Sequence, residues 1–383
     1  MRLLTPQPGD AIAVIAKLPG EVCNINCHYC FERRKPYPGA RYLSPSTLRR
    51  FLRLAAGRPL AVTLHGGEPL IVGREAMLAL LREFQRYDAP LKLGLQTNGL
   101  MLDEEWLDLF AREWPDLTIG ISLDGDEVAN GHRVDHRDRP TFGRVLDTLA
   151  LLSDRDIKAG AVMVVTRRAL GRAPEALRTF ARFRCVRLLK LASCLDYSVS
   201  SRRYPSPSGR TILELNPAGQ GMPGWATTPA EYVEFVEQAI AFWRDEGYYR
   251  NFLLEPVTSI IRTLSGKPTD FTEFSDRKEP FIVTLYPDGR IGSSDHFGMP
   301  QSLLGQVDEI GSLDEILDLC VNPRLRDRLT GLMQVCAGCS HRETCRGGSL
   351  ADRLRYDTGE LAEEYCASRR RLVDFVRSTV VAS

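Results

Sequence analysis

Three cysteines stand at Cys23, Cys27 and Cys30 in the run EVCNINCHYCFE. Their spacing, C-x3-C-x2-C, is not the paired C-x2-C knuckle of a zinc finger. Three thiolates held close together suit three irons of a [4Fe–4S] cube and leave the fourth iron open to a substrate or cofactor. A second group lies far along the chain: Cys336, Cys339 and Cys345 in CAGCSHRETC, then Cys366 in EYCAS. That set is a metal-site signal, either a structural zinc or a closed iron–sulfur cluster. Cys185, Cys194 and Cys320 stand alone and read as small buried apolar residues.

The elements that must position these thiols are legible from periodicity. Apolar strands read at 11–17, 61–65, 92–96, 118–122, 158–165 and 186–191, with amphipathic helices near 45–56, 74–87, 103–113, 141–153 and 173–182. Such alternation predicts parallel βα units with right-handed crossovers, whose chemistry gathers at the C-terminal strand ends. The first cysteine loop follows the first strand, and His65-Gly66-Gly67-Glu68-Pro69 follows the second. Paired glycines let a backbone approach a ligand closely, and Glu68 could accept from an ammonium group. Residues 196–227, rich in Ser, Pro and Gly, read as a loop or lid. Two helices are expected near 229–245 and 252–264, then a hairpin at FIVTLYPDGRIG.

Composition bounds the function. The chain has 383 residues, 43% hydrophobic and 26% charged, with a formal net charge of +1. A substantial core is expected, and a protein built to neutralise nucleic-acid phosphates is not. No run suits a membrane span, and the first residues lack a signal-peptide pattern. A cytoplasmic location follows as the expectation, where ten cysteines would stay reduced and clustered ones would bind metal.

Taken together, the cysteine loop and the strand ends resemble the radical S-adenosylmethionine (SAM) superfamily. The resemblance implies a partial (β/α)6 TIM-like barrel over 1–195, lid and bridging helices over 196–265, and a small C-terminal Cys-rich iron–sulfur domain over 266–383. It implies SAM chelating the open iron, with reductive cleavage to Met and a 5′-deoxyadenosyl radical. Gly66, Gly67 and Glu68 match the family's GGE motif, whose backbone contacts the SAM amino group. Gln96-Thr97-Asn98-Gly99 is also family-like. Tyr29, Ser122, Arg133 and Leu195 match SAM-contacting positions of the maturase-like branch. Arg133 suits two-point clamping of a carboxylate.

The back cysteines resemble the SPASM/twitch-like extension of radical SAM maturases, which in full carries two auxiliary [4Fe–4S] clusters. Here Ser275, Ser294 and Ser349 stand where thiolates of the first auxiliary cluster are expected. Serine is a poor iron ligand beside thiolate. The pattern therefore implies one auxiliary [4Fe–4S] cluster, on Cys336, Cys339, Cys345 and Cys366. Asp295 falls where sulfatase maturases carry a catalytic Asp; an ordinary hairpin-flanking carboxylate is the other reading. His296 is an alternative base, and His28 reads as a loop residue.

The resemblance implies hydrogen abstraction from a residue of a ribosomal peptide or protein, giving a cross-link, epimerisation or oxidation. Two other readings stand beside it: a sulfatase-type maturase making formylglycine from Ser or Cys, and a radical dehydrogenase or rearranging enzyme acting on a small molecule. An electron carrier without SAM turnover is disfavoured by the strand-end motifs. The expected partners are a peptide or protein substrate and an external one-electron reductant of flavodoxin or ferredoxin type. Only 22 residues precede Cys23, so a leader would need a separate binding protein or the 196–227 lid. Neither nucleic acid nor membrane is an expected partner.

Overall fold

Strand and helix periods alternate through the first half as the residue pattern dictates. The elements are β1 (Ile12–Lys17), α1 (Pro45–Leu54), β2 (Leu60–His65), α2 (Arg74–Gln85), β3 (Leu91–Thr97), α3 (Glu104–Glu113), β4 (Thr118–Ser122), α4 (Phe142–Asp154), β5 (Ala159–Val165), α5 (Ala173–Ala181) and β6 (Val186–Ser193). They come from a computed structural model that describes residues 4–30, 32, 42–194, 204–205, 211–212, 224–269, 271–275, 277–297, 302–317, 323–356 and 360–381. Successive strand side chains face opposite sides of the sheet. In β1 and β2 one alternate set, Ile12, Val14, Ala16, Leu60, Val62 and Leu64, is buried against Leu48 and Phe51 of α1 and Phe84 of α2. Helix starts are capped where the sequence supplies an oxygen: Ser44 accepts from the Thr47 N–H at 3.0 Å and Asp103 from Trp106 at 3.0 Å.

Beyond β6 come a two-residue pair, β7 (Tyr204–Pro205) and β8 (Thr211–Ile212), then α6 (Pro229–Asp245), β9 (Leu253–Glu255) and α7 (Val257–Leu264). Helix was expected from 252. Leu253–Glu255 instead runs as a strand parallel to β6, Leu188 opposite Leu253. Pro256 accounts for the difference, because the residue before a proline is pushed out of the helical region. The hairpin forms as β10 (Ile282–Leu285) and β11 (Arg290–Gly292), with Gly289 at φ +85° in the turn. β12 (Leu303–Gln306), α8 (Asp314–Leu317), α9 (Pro323–Met333), α10 (Arg342–Cys345), α11 (Leu350–Arg355) and α12 (Glu360–Val376) complete the order.

These strands make one sheet, ordered β12-β11-β10-β1-β2-β3-β4-β5-β6-β9. β1 to β6 are parallel, so their C-terminal ends share one rim. Among the described residues β12 and β9 are unpaired edges, which leaves the barrel open. β10 lies parallel to β1, Ala13 opposite Ile282. The C-terminal region thus continues the barrel sheet, and its buried residues Val283, Leu285, Ile291, Leu313, Leu372 and Val376 belong to the main core. A small second core holds Phe297, Leu329, Met333, Leu350 and Leu354 around Cys336.

Because Val283 and Leu285 are fully buried in the core shared with β1, a chain ending at residue 265 is expected to be insoluble or to lack a cooperative thermal transition. A soluble truncation melting cooperatively would show that the barrel does not depend on β10.

Candidate active site

The loop after β1 is held by backbone bonds from two sides. The N–H groups of Gly67 and Glu68 donate to the carbonyls of Gly20 (2.8 Å) and Val22 (3.0 Å). On the other side Asn26 donates to Val134 (2.7 Å) and His28 to His132 (3.0 Å). The paired glycines have a clear physical cause. A Cβ on Gly67 would sit 2.2 Å from the Val22 carbonyl oxygen, and one on Gly66 2.6 Å from Cδ of Pro19. Their closest approach is thus to the loop that carries the cysteines.

Cys27 feels the charges of both Cys23 and Cys30, and Cys23 feels that of Cys30. Burial pushes the Cys23 thiol up to about 11 and Cys27 to about 12. Asn98 at the end of β3 donates Nδ2 to the Cys23 sulfur at 3.7 Å and to Asn24 at 2.7 Å. Buried Arg133 sits beside this group. Its Nη1 donates to Tyr29 Oη at 2.9 Å, and Tyr29 donates to Asp124 Oδ2 at 2.5 Å. Burial opposes the guanidinium's charge, but Tyr29, Cys27 and Asp124 hold its pKa above the ordinary value. Its Nε is buried with no hydrogen-bond partner. A buried orphan donor is costly, and here it stands among three thiols at a strand-end rim. A carboxylate-bearing ligand on an iron cluster held by those thiols fits both features.

Glu68 departs from its expected use. Its carboxylate is fully buried and accepts from Thr97 Oγ1 (2.8 Å), the Asn98 N–H (2.8 Å) and the Leu70 N–H (3.1 Å). It braces the ends of β2 and β3, while burial raises its pKa despite those donors. Ser122, ending β4, accepts from Gln96 Nε2 at 2.9 Å. Leu195 lies outside the described residues, as does most of the 196–227 segment.

Asp295 is buried in a place the sequence did not announce. Its Oδ2 lies 2.7 Å from Nζ of Lys17, the last residue of β1, which also meets Glu32 Oε1 at 2.9 Å and His65 Nδ1 at 3.2 Å. Lys17 is fully buried. Burial disfavours its charge, yet Asp295 and Glu32 outweigh that and raise its pKa. Asp295 is therefore a paired carboxylate, not an ordinary surface one. A lone Lys ending an apolar strand at the rim was the available signal for Lys17. His296 donates its N–H to Ser294 Oγ at 3.4 Å, and His28 packs edge-on against His132.

Cys339, Cys345 and Cys366 all lie within electrostatic reach of Cys336. Two buried arginines face them. Arg353 donates to Cys336 Sγ (3.2 Å) and Cys366 Sγ (3.8 Å), and Arg369 to Cys345 Sγ (3.3 Å). Burial would raise the Cys345 thiol, but Arg369 holds it below its ordinary value. Among the described residues no three Cys, His, Asp or Glu converge at the spacing of a single bound ion. The donor set, four thiols with two guanidiniums against them, suits a larger anionic cluster. Each of the three serines has a local bond. Ser275 accepts from the Arg277 N–H (2.9 Å), Ser294 from His296, and Ser349 caps α11 through the Asp352 N–H (3.3 Å). Buried Lys278 donates to the Gly348 carbonyl at 2.7 Å.

Residues 18–171 match the radical SAM superfamily. The cysteine-type anaerobic sulfatase-maturating enzyme of Clostridium perfringens is 21% identical over 379 residues, covering 95% of this chain and 96% of its own. The serine-type enzyme of Klebsiella aerogenes is 24% identical over 356 residues, covering 88% and 79%. Among solved structures, native anSMEcpe with bound AdoMet and Cp18Cys peptide superposes with a TM-score of 0.77 at 18% identity, covering 97% of this chain and 98% of that one. SuiB of Streptococcus suis bound to precursor peptide SuiA gives 0.57 at 14% identity, covering 93% and 76%. No helix among the described residues is long and apolar enough to cross a membrane.

Lys17→Met leaves two carboxylates buried without their cation, so a loss of about 3–5 kcal/mol in unfolding free energy is expected, partly recovered by adding Glu32→Gln and Asp295→Asn. An unchanged denaturation midpoint would show that the ion trio is not structural. Gly67→Ala forces the cysteine loop to move, and iron bound after anaerobic reconstitution should fall by about four per chain; full iron content would contradict this account of the glycine.

Proposed function

We propose, from the premise that this chain is a radical SAM enzyme, that it abstracts a hydrogen atom from a residue of a peptide or protein substrate. Cys23, Cys27 and Cys30 would hold the [4Fe–4S] cluster whose open iron takes SAM. The chemistry supplied when both are bound is reductive cleavage of the sulfonium to a 5′-deoxyadenosyl radical. The chain's own residues then bind, orient and shield. Arg133, through its unpartnered Nε, would clamp the SAM carboxylate, and that atom is the observation that carries the SAM site. Tyr29 and Asp124 hold the guanidinium in place. Glu68 fixes the ends of β2 and β3, leaving the backbone of Gly66 to Glu68 to shape the wall, and Ser122 lies along the same rim. Leu195 is retained as a further SAM-side position. An external one-electron reductant of flavodoxin or ferredoxin type would feed the site.

One auxiliary [4Fe–4S] cluster on Cys336, Cys339, Cys345 and Cys366 is the second part of the reading. The local bonds of Ser275, Ser294 and Ser349 support it, because none of the three presents a thiolate. Iron analysis of reconstituted protein is expected to give about eight irons per chain, falling to about four in the Cys336→Ala/Cys345→Ala variant. About twelve in the parent would overturn the count.

A peptide substrate is supported by the relatives' names and by the peptide-bound structures of the same fold. Oxidation of Ser or Cys to formylglycine is the second reading. Asp295 favours it, because a buried carboxylate beside Lys17 could take the proton released as the substrate is oxidised. Deuterium from a uniformly deuterated peptide pool should appear in 5′-deoxyadenosine. Transfer from deuterated small metabolites alone would contradict the peptide reading and favour a small-molecule dehydrogenase.

A further inference from the structure

Two buried arginines are built into the back cysteine group, and neither donates to a cysteine of its own helix. Arg353 of α11 reaches Cys336 Sγ at 3.2 Å and Cys366 Sγ at 3.8 Å. Arg369 of α12 reaches Cys345 Sγ through Nε at 3.3 Å. The chain just after Cys345 is shaped around them. Gly347 and Gly348 lie at φ +82° and +77°, a region that favours glycine. The Gly347 carbonyl accepts from Arg353 Nε, and a Cβ on Gly348 would sit 2.9 Å from Arg369 Nε. Aromatic rings hold the guanidiniums from other sides. Arg369 stands 4.0 Å from the centroid of Phe274, and the Tyr365 centroid lies 5.7 Å from Arg353 and 5.8 Å from Arg369.

Charge is the second observation. Arg353 makes no ion pair with a carboxylate among the described residues. Its remaining acceptors are the carbonyls of Gly347 and, at 3.4 Å, Leu332. A buried cation without an anionic partner is costly, and deprotonated sulfur at Cys336 and Cys366 would supply one. Arg369 does meet a carboxylate, Glu273 Oε2 at 3.4 Å, along with the carbonyls of Glu273 (3.2 Å) and Cys345 (3.3 Å). Its charge is therefore shared between Glu273 and Cys345.

We propose that Arg353 and Arg369 set the reduction potential of the cluster held by Cys336, Cys339, Cys345 and Cys366, with Glu273 drawing part of the Arg369 charge away from it. This rests on the auxiliary-cluster reading above. A cubane core on four thiolates is a dianion before reduction and a trianion after it, so burial resists the incoming electron. A guanidinium held against the sulfur stabilises the reduced form more, because that form carries the added charge. The arginines act through the cysteine ligands and are positioning residues.

The test is an EPR-monitored redox titration of the anaerobically reconstituted full chain carrying Cys23/Cys27/Cys30→Ala, in which the back cluster titrates alone. About four irons per chain are expected. Iron-free protein would overturn the auxiliary-cluster reading, and this proposal with it. In the iron-loaded protein Arg353→Gln and Arg369→Gln should each make reduction about tenfold less favourable, a midpoint about 59 mV lower for a one-electron couple. Glu273→Gln should shift the midpoint upward, a direction that loosened packing around the arginines does not predict. Unchanged midpoints in iron-loaded arginine variants would overturn the proposal and leave the cluster standing. A Glu273→Gln midpoint that fails to rise would do the same, and that measurement decides the matter where an arginine variant loses its iron.

Discussion

A fully buried lysine at the end of the first strand joins three distant parts of this chain. Lys17 meets Asp295 at 2.7 Å and Glu32 at 2.9 Å. Desolvating an ammonium costs several kcal/mol, repaid only where carboxylates of good geometry surround it. That condition fixes the segment just after the cysteine loop, through Glu32, and the C-terminal hairpin, through Asp295, against the barrel rim. β10 then pairs with β1 and carries the hairpin into the main sheet. The candidate site is thus assembled by both ends of the chain, and Asp295 is held where its charge is already balanced. For Asp295 to act as a base, Lys17 must keep its proton while the carboxylate turns to substrate.

The two thiol groups solve the same electrostatic problem differently. At the front, burial raises Cys23 and Cys27, so metal binding there must expel protons from reluctant thiols. Arg133 is the cation beside them, and it keeps one donor unspent. At the back, Arg353 of α11 donates to Cys336 and Cys366 sulfur, and Arg369 of α12 donates to Cys345 sulfur. Hydrogen bonds to cluster sulfurs and nearby positive charge raise a reduction potential. Three thiols at the front would leave one iron of a cube for an exchangeable ligand, whereas four at the back would complete the set.

Much of the fold was legible because it is written in local periods. The six barrel strands and five helices lie within a residue or two of the apolar pattern, since alternation of two and of 3.6 is imposed by backbone geometry. The Asp288-Gly289 turn was legible for the same reason. The hairpin's pairing with β1 was not, because a partner strand some 270 residues distant leaves no mark on local sequence. Cys23, Cys27 and Cys30 could be found by spacing alone. Lys17 showed in sequence only as a lone Lys ending an apolar strand. Arg353 and Arg369 could not be weighed at all: they sit in helices whose charges look solvated, and only the fold turns them onto sulfur. Glu68 shows the converse. Its motif was visible, but three donors, Leu70, Thr97 and Asn98, claim its carboxylate.

The front thiols, with Arg133 beside them, are proposed to make a SAM-cleaving centre. Anaerobically reconstituted protein with reductant and SAM should yield 5′-deoxyadenosine by mass spectrometry, and the Cys23/Cys27/Cys30→Ala triple variant should yield none. Cluster-loaded protein that neither forms 5′-deoxyadenosine nor binds SAM by equilibrium dialysis would contradict it.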